Sequence, residues 1–84
     1  MTTLDGWTVN GDTLTHTYKF PSYLAGIDFV VAVAKAAEGM NHHPDLQVGW
    51  RKVGVVLSTH SAGGITGLDF QLAQMMDWLF ASAA

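Results

Sequence analysis

The chain holds 84 residues, 49% hydrophobic and 13% charged, with a net charge of −3 and no cysteine. That length predicts one domain over 1–84, because an autonomous core takes roughly 50 to 150 residues to close, and so few charges argue against disorder. Disulfides and thiolate metal sites are excluded, and four basic residues scattered at Lys19, Lys35, Arg51 and Lys52 predict no basic face for a nucleic acid.

Trp7-Thr8-Val9, then Asn10-Gly11, then Leu14 to Phe20 reads as a hairpin, since Asn-Gly favours the positive φ angles of a type I′ turn. Leu14, His16, Tyr18 and Phe20 alternate with Thr13, Thr15, Thr17 and Lys19, so one face of the second strand is buried. Pro21-Ser22 breaks the strand, and Ser22 is placed to cap a helix that runs to about Met40 and ends at Asn41. Its core stripe is Tyr23, Ile27, Phe29, Val30, Val33, Ala34, Ala37 and Met40, with Glu38 at the border. His43 precedes Pro44 and is pushed out of the α region, so His42 and His43 bracket a helix-to-strand corner. Leu46, Val48 and Trp50 alternate in a third strand, a turn falls near Arg51-Lys52, and the β-branched run from Val53 to Thr59 makes the fourth. Ser61 to Gly64 reads as a flexible loop, and Thr66-x-x-Asp69 has the spacing of a capping box opening a last helix. On that helix Leu68, Leu72, Ala73, Met75, Met76, Leu79 and Phe80 share a face, while Gln71, Gln74 and Asp77 lie away from it. Phe70 and Trp78 break the amphipathy and are candidates for a subunit contact. The order β-β-α-β-β-α predicts an α+β fold, a four-stranded antiparallel sheet with both helices on one face.

The longest apolar run, Phe29 to Ala34, stops at Lys35, short of the roughly 20 residues of a membrane span. The first ten residues show neither a basic region nor an apolar stretch of a secretion signal, and a cytoplasmic chain is the expectation. So apolar a small chain has more surface than a small sphere hides, which predicts a homo-oligomer.

Three of the four histidines, His42, His43 and His60, stand at element ends, where working residues concentrate. An imidazole with a pKa of about 6.5 both donates and accepts a proton near neutrality, so paired imidazoles suit acid-base chemistry. Asp45 and His60 fall at the same end of the second hairpin, which permits the three rings to converge. Composition alone weighs catalysis evenly against a structural role as turn residues. A metal site drawn from Glu38, His42 and His60 is a weaker reading, because no ligand pair follows at a usual spacing. His16 sits on an apolar strand face and reads as a satisfied core or interface histidine.

Glu38, His42-His43-Pro44, Trp50, His60 and Asp69 together closely resemble the pattern of the pterin-4a-carbinolamine dehydratase family, seven positions in register within thirty-two residues. The resemblance implies a single domain of that type which dehydrates 4a-hydroxytetrahydropterin to quinonoid dihydropterin, a hydro-lyase step in recycling tetrahydrobiopterin. It implies His42, His43 and His60 as catalytic residues, with Glu38, Trp50 and Asp69 binding substrate or supporting the site. No metal and no organic cofactor are implied; the partners are a small pterin and further copies of the chain, as dimer or tetramer. Many members carry a helix before the first strand, which is expected to be missing here because only Met1 to Gly6 precede Trp7, and the basic turn residue follows Arg51 in place of the usual asparagine. Some members also stabilise transcription-factor dimers, so a non-enzymatic dimerisation module is the alternative.

Overall fold

The computed structural model describes residues 6–82, with the backbone alone at position 60. Strand β1 (Thr8–Asn10) pairs with β2 (Thr13–Lys19) in a hairpin whose closing pair is Asn10 and Thr13. The turn is therefore Gly11-Asp12, one residue later than the Asn10-Gly11 turn predicted. Gly11 has φ +63 while Asp12 stays at negative φ, which is the pattern of a type II′ turn. Helix α1 (Tyr23–Met40) begins where the Ser22 hydroxyl accepts the Ala25 N–H at 3.1 Å, as the sequence leads one to expect.

Strand β3 (Asp45–Val48) and strand β4 (Lys52–Leu57) form the second hairpin, and β4 also pairs with β2, so the sheet runs β1-β2-β4-β3, antiparallel throughout. The turn spans Gly49 to Arg51, and Gly49 N–H donates to the Lys52 carbonyl at 2.8 Å. Trp50 is thus a turn residue instead of the last alternating position of a strand. After a short 3-10 turn at His60–Ala62, helix α2 (Gly67–Ser82) closes the chain. The predicted flexible loop is in fact pinned: Thr59 and Gly64 form a bridge, and Gly63 takes φ +70 to close it.

Register decides the faces. Leu14 lies opposite Leu57, His16 opposite Val55 and Tyr18 opposite Val53, and this face packs under both helices. From α1 come Gly26, Phe29, Val33 and Ala37; from α2 come Leu72, Ala73 and Met76. Each large apolar side chain fully buried in this way contributes about 1.5–3 kcal/mol. Tyr23 and Ala34, assigned to the core stripe, are exposed, while Gly26 is buried so close to Phe20 that a Cβ there would stand 3.4 Å from its ring. On α2, Leu68 and Met75 are exposed and Phe70 is half-buried against the core, because the buried stripe is rotated toward Asp69. No helix among the described residues is long and apolar enough to cross a membrane.

Asp77 also departs from expectation. Instead of facing away, its carboxylate accepts the Trp7 indole N–H at 3.1 Å and the Tyr18 hydroxyl at 2.5 Å, tying the first hairpin to the last helix. His16 lies between the Trp7 and Tyr18 rings, 5.1 and 4.3 Å away, and its Nδ1–H donates to the Gly6 carbonyl. It is a half-buried, satisfied histidine. Burial first, and the Asp77 carboxylate second, push the Tyr18 phenol far above its usual value near 10. The raised pKa sets the sign: stability is complete below about pH 10, and above it the unfolded chain loses the phenolic proton while the folded chain keeps it. Chemical denaturation across pH 9–12 is expected to show stability falling more steeply with pH in the parent than in Tyr18→Phe, by up to about 1.4 kcal/mol per pH unit. Equal slopes would remove Tyr18 from this role.

Three of the four basic residues, scattered in sequence, are brought together in space. Lys19 and Lys52 are direct cross-strand partners, and Arg51 precedes Lys52 in the turn, so three of the four share one end of the sheet.

Candidate active site

The other end of the sheet holds a buried carboxylate. Thr66 caps α2, and Asp69, at the third helical position, reaches back so that its Oδ2 accepts the Thr66 backbone N–H at 2.8 Å. Half of the predicted capping box is present. The Thr66 hydroxyl is turned elsewhere, to the Thr59 hydroxyl at 2.7 Å, and Thr59 in turn donates to Asp69 Oδ2 at 2.8 Å. Because Thr59 gives its one proton to the carboxylate, Thr66 must be the donor to Thr59. The pinned turn between β4 and α2 is what holds Thr59 over the helix terminus.

Opposite it, the end of α1 aims a histidine. Asn41 adopts the left-handed conformation at φ 51, its N–H donates to the Glu38 carbonyl at 3.1 Å, and the His42 N–H donates to the Ala37 carbonyl at 3.1 Å. These are the two bonds of a Schellman motif. They fix the backbone at His42, whose ring enters the space beside Asp69 with Nε2 2.5 Å from Oδ1. Asp69 is 0% exposed and His42 is buried beside it.

A carboxylate whose second oxygen already accepts two hydrogen bonds holds Nε2 as the protonated nitrogen of His42. The lone pair of the neutral ring is therefore on Nδ1, which has no partner among the described residues. A nitrogen in that state can accept a proton from a bound substrate. The arrangement suits proton abstraction and return.

His43 turns the other way, since successive residues of an extended segment face opposite sides. Its Nε2 meets Glu38 Oε2 at 2.8 Å, with both side chains more than half exposed. Glu38 thus pairs with His43 and leaves His42 to Asp69. Trp50 is not brought to this end: it follows β3 at the hairpin tip, and the length of β4 alone, at about 3.3 Å per residue, separates the two ends by roughly 17 Å. The His60 backbone opens the 3-10 turn next to Thr59, and its side chain lies outside the described residues. Among the described residues no group of three histidine or acidic side chains is placed to hold a metal ion.

The sequence profile of the family described as pterin 4 alpha carbinolamine dehydratase matches residues 1–79. The chain belongs to this family. A protein of Roseiflexus castenholzii, provisionally named pterin-4-alpha-carbinolamine dehydratase, is 51% identical over 74 residues, which cover 88% of this chain and 80% of that one. A Mycobacterium tuberculosis protein of the same provisional name is 46% identical over 79 residues, covering 94% and 84%. The crystal structure of a transcriptional coactivator/pterin dehydratase from Brucella melitensis superimposes with TM-score 0.86 at 36% identity, over 90% of this chain and 83% of that one. A pterin dehydratase-like protein described as a RuBisCO assembly factor of the alpha-carboxysome shares the fold alone, with TM-score 0.72 at 23% identity over 88% and 86% of the two chains.

Within this pterin dehydratase fold, two side chains that the sequence did not mark for the site are Thr59 and the hydroxyl of Thr66. The signal for them was present in part: the threonine-to-aspartate spacing of the cap announces one donor to Asp69. Thr59 carries no such signal, because it reaches Asp69 through the bridge to Gly64 and not through local spacing.

Proposed function

We propose that the chain is a hydro-lyase acting on pterin-4a-carbinolamine, forming quinonoid dihydropterin and water in tetrahydrobiopterin recycling. One imidazole takes the proton from N5, the electron pair of that N–H bond closes the C4a=N5 double bond, and the C4a–O bond breaks as a second imidazole protonates the departing hydroxyl. Each such transfer contributes about 10²- to 10⁴-fold. The observation that carries this reading is the contact between His42 Nε2 and the buried Asp69 carboxylate, which Thr59 and the Thr66 backbone also hold. His42 is assigned the N5 proton and His60 the hydroxyl, with His43, steadied by Glu38, against the pterin ring. The two 4a-epimers of the substrate let His42 and His60 exchange emphasis. Stopped-flow decay of the carbinolamine tests it: catalysis by the parent, lost in His42→Ala and His60→Ala, is the expected result, and full rates in both variants would sink the assignment.

A second reading is favoured by one feature of α2. Leu68, Met75 and Trp78 stand along one side of that helix, with Trp78 64% exposed. At spacings of seven and three residues they form a stripe suited to another helix. We propose that this stripe joins copies of the chain, and that a non-enzymatic role would use it to stabilise a partner's dimer, in line with the coactivator name of the Brucella relative. Trp78→Glu is expected to shift sedimentation toward a smaller species without lowering the melting temperature of the monomer fold. An unchanged sedimentation coefficient would free this face from self-association.

A further inference from the structure

The end of the sheet far from His42 gathers features that the dehydration chemistry does not use. Lys19 and Lys52 stand directly opposite each other on adjacent strands, a like-charge placement that destabilises a sheet. Arg51 lies beside them, its backbone carbonyl accepting the Phe20 N–H at 2.9 Å, and its guanidinium stands 5.4 Å from the centre of the Trp50 ring. None of the three cations meets a carboxylate within ion-pair distance among the described residues. In a chain of net charge −3, three of four cations are thus held together with no ion-pair partner among the described residues.

The same corner is apolar beneath its charges. Trp50 is 74% exposed. A cleft of about 440 Å³ runs between Lys19, Phe20, Trp50 and Lys52, and an adjoining one of about 340 Å³ lies between Phe20, Pro21, Ala25 and Phe80. Lys19 and Phe20 line both, so the two clefts adjoin at the end of β2, with the lysines on the exposed face and Phe20 on the helix-covered face.

We propose that this corner, with its two adjoining clefts, binds an acidic peptide segment of a protein partner, one that carries a bulky apolar side chain between its carboxylates. The apolar residue enters the pocket between Phe20 and Phe80, and flanking carboxylates meet Lys19, Lys52 and Arg51, which removes the repulsion of the lysine pair. The chemistry separates this occupant from others. A nucleic acid needs a longer basic track than the three cations of this corner provide. A small free anion makes no use of the apolar pocket. An acidic peptide with an apolar anchor uses both halves.

The test is two-dimensional NMR of the full chain titrated with the peptide Glu-Glu-Leu-Phe-Glu-Glu, its neutral counterpart Gln-Gln-Leu-Phe-Gln-Gln and a short oligothymidylate. Saturable shifts of the Trp50 indole N–H and of the Lys19 and Lys52 amides with the acidic peptide are expected. The double variant Lys19→Gln/Lys52→Gln should bind it about three- to tenfold more weakly, as loss of two exposed ion pairs requires. It should also keep the parent's dehydration rate and fold, which keeps this outcome separate from that of the proposed activity. Trp50→Ala, a change at an exposed position, should weaken binding with no change in melting temperature. The proposal fails if Trp50 and the lysines do not shift at millimolar acidic peptide, if the neutral peptide binds equally well, or if the oligothymidylate binds more tightly. It fails also if the double variant changes the sedimentation coefficient, because the corner would then be a contact between copies of the chain.

Discussion

His42→Ala is expected to lower the rate of carbinolamine dehydration by about 10²- to 10⁴-fold, the contribution of one positioned acid-base group, and to leave a folded protein. The fold survives because Asp69 keeps two of its three donors, Thr59 and the Thr66 backbone, after the imidazole is gone. The site also lies at the rim of the sheet, where water can replace the lost N–H. Stopped-flow rates together with thermal melts check both halves of the expectation. His43→Ala gives the comparison. Its partner Glu38 is exposed and the pair is screened, so its loss should cost much less in stability, and any rate effect reports contact with substrate and not support of the fold. A His42→Ala protein that retains the parent rate would take proton transfer away from this ring.

Two substitutions at Asp69 separate its two duties. Asp69→Ala removes the acceptor of three hydrogen bonds at a position with no exposure, leaving the Thr66 N–H, the Thr59 hydroxyl and His42 Nε2 without their partner. Breaking a buried, charge-assisted cluster in this way costs about 3–5 kcal/mol, a large part of the roughly 5–15 kcal/mol that holds a small domain together. Urea unfolding is expected to show that loss, and a change below about 1 kcal/mol would mean that the carboxylate is not the keystone of this terminus. Asp69→Asn acts differently. Its amide oxygen stays with the two donors at Oδ2, so its NH₂ faces His42 Nε2 and forces that nitrogen to accept. The proton moves to Nδ1, the ring loses its outward lone pair, and the rate should fall by about 10²- to 10⁴-fold in a protein that still folds. Recovery of the parent rate in Asp69→Asn would show that the tautomer of His42 does not matter.

Those predictions rest on contacts that differ in how far the sequence reveals them. Ser22, Asn41 and Thr66 announce helix ends because capping is a matter of neighbours within four residues, and the structure places each cap where it is read. The family pattern from Glu38 to Asp69 names the histidines and the carboxylate without saying which meets which. The helical wheel of α2 failed at Asp77 for a related reason. Asp69, Ala73 and Asp77 recur every fourth residue along the buried stripe, so spacing alone places both acids inside. A rule that sorts residues by hydrophobicity sends Asp77 outside. Their acceptance into the interior depends on donors that arrive from other elements.

What the sequence determined by itself is the order of the elements, their caps, the antiparallel α+β architecture and membership of a pterin dehydratase family. All of these rest on short-range periodicity, local hydrogen bonds or residues in register along the chain. Tertiary structure alone decided that His42 meets Asp69 across 27 positions and that Trp7 meets Asp77 across 70. It also decided that Lys19 stands beside Lys52, and that Trp50 crowns their corner at the opposite end from His42. The physical reason is the same in each case. Which donor faces which acceptor is set by strand register and by how the two helices seat on one sheet, and those are properties of the packed core as a whole.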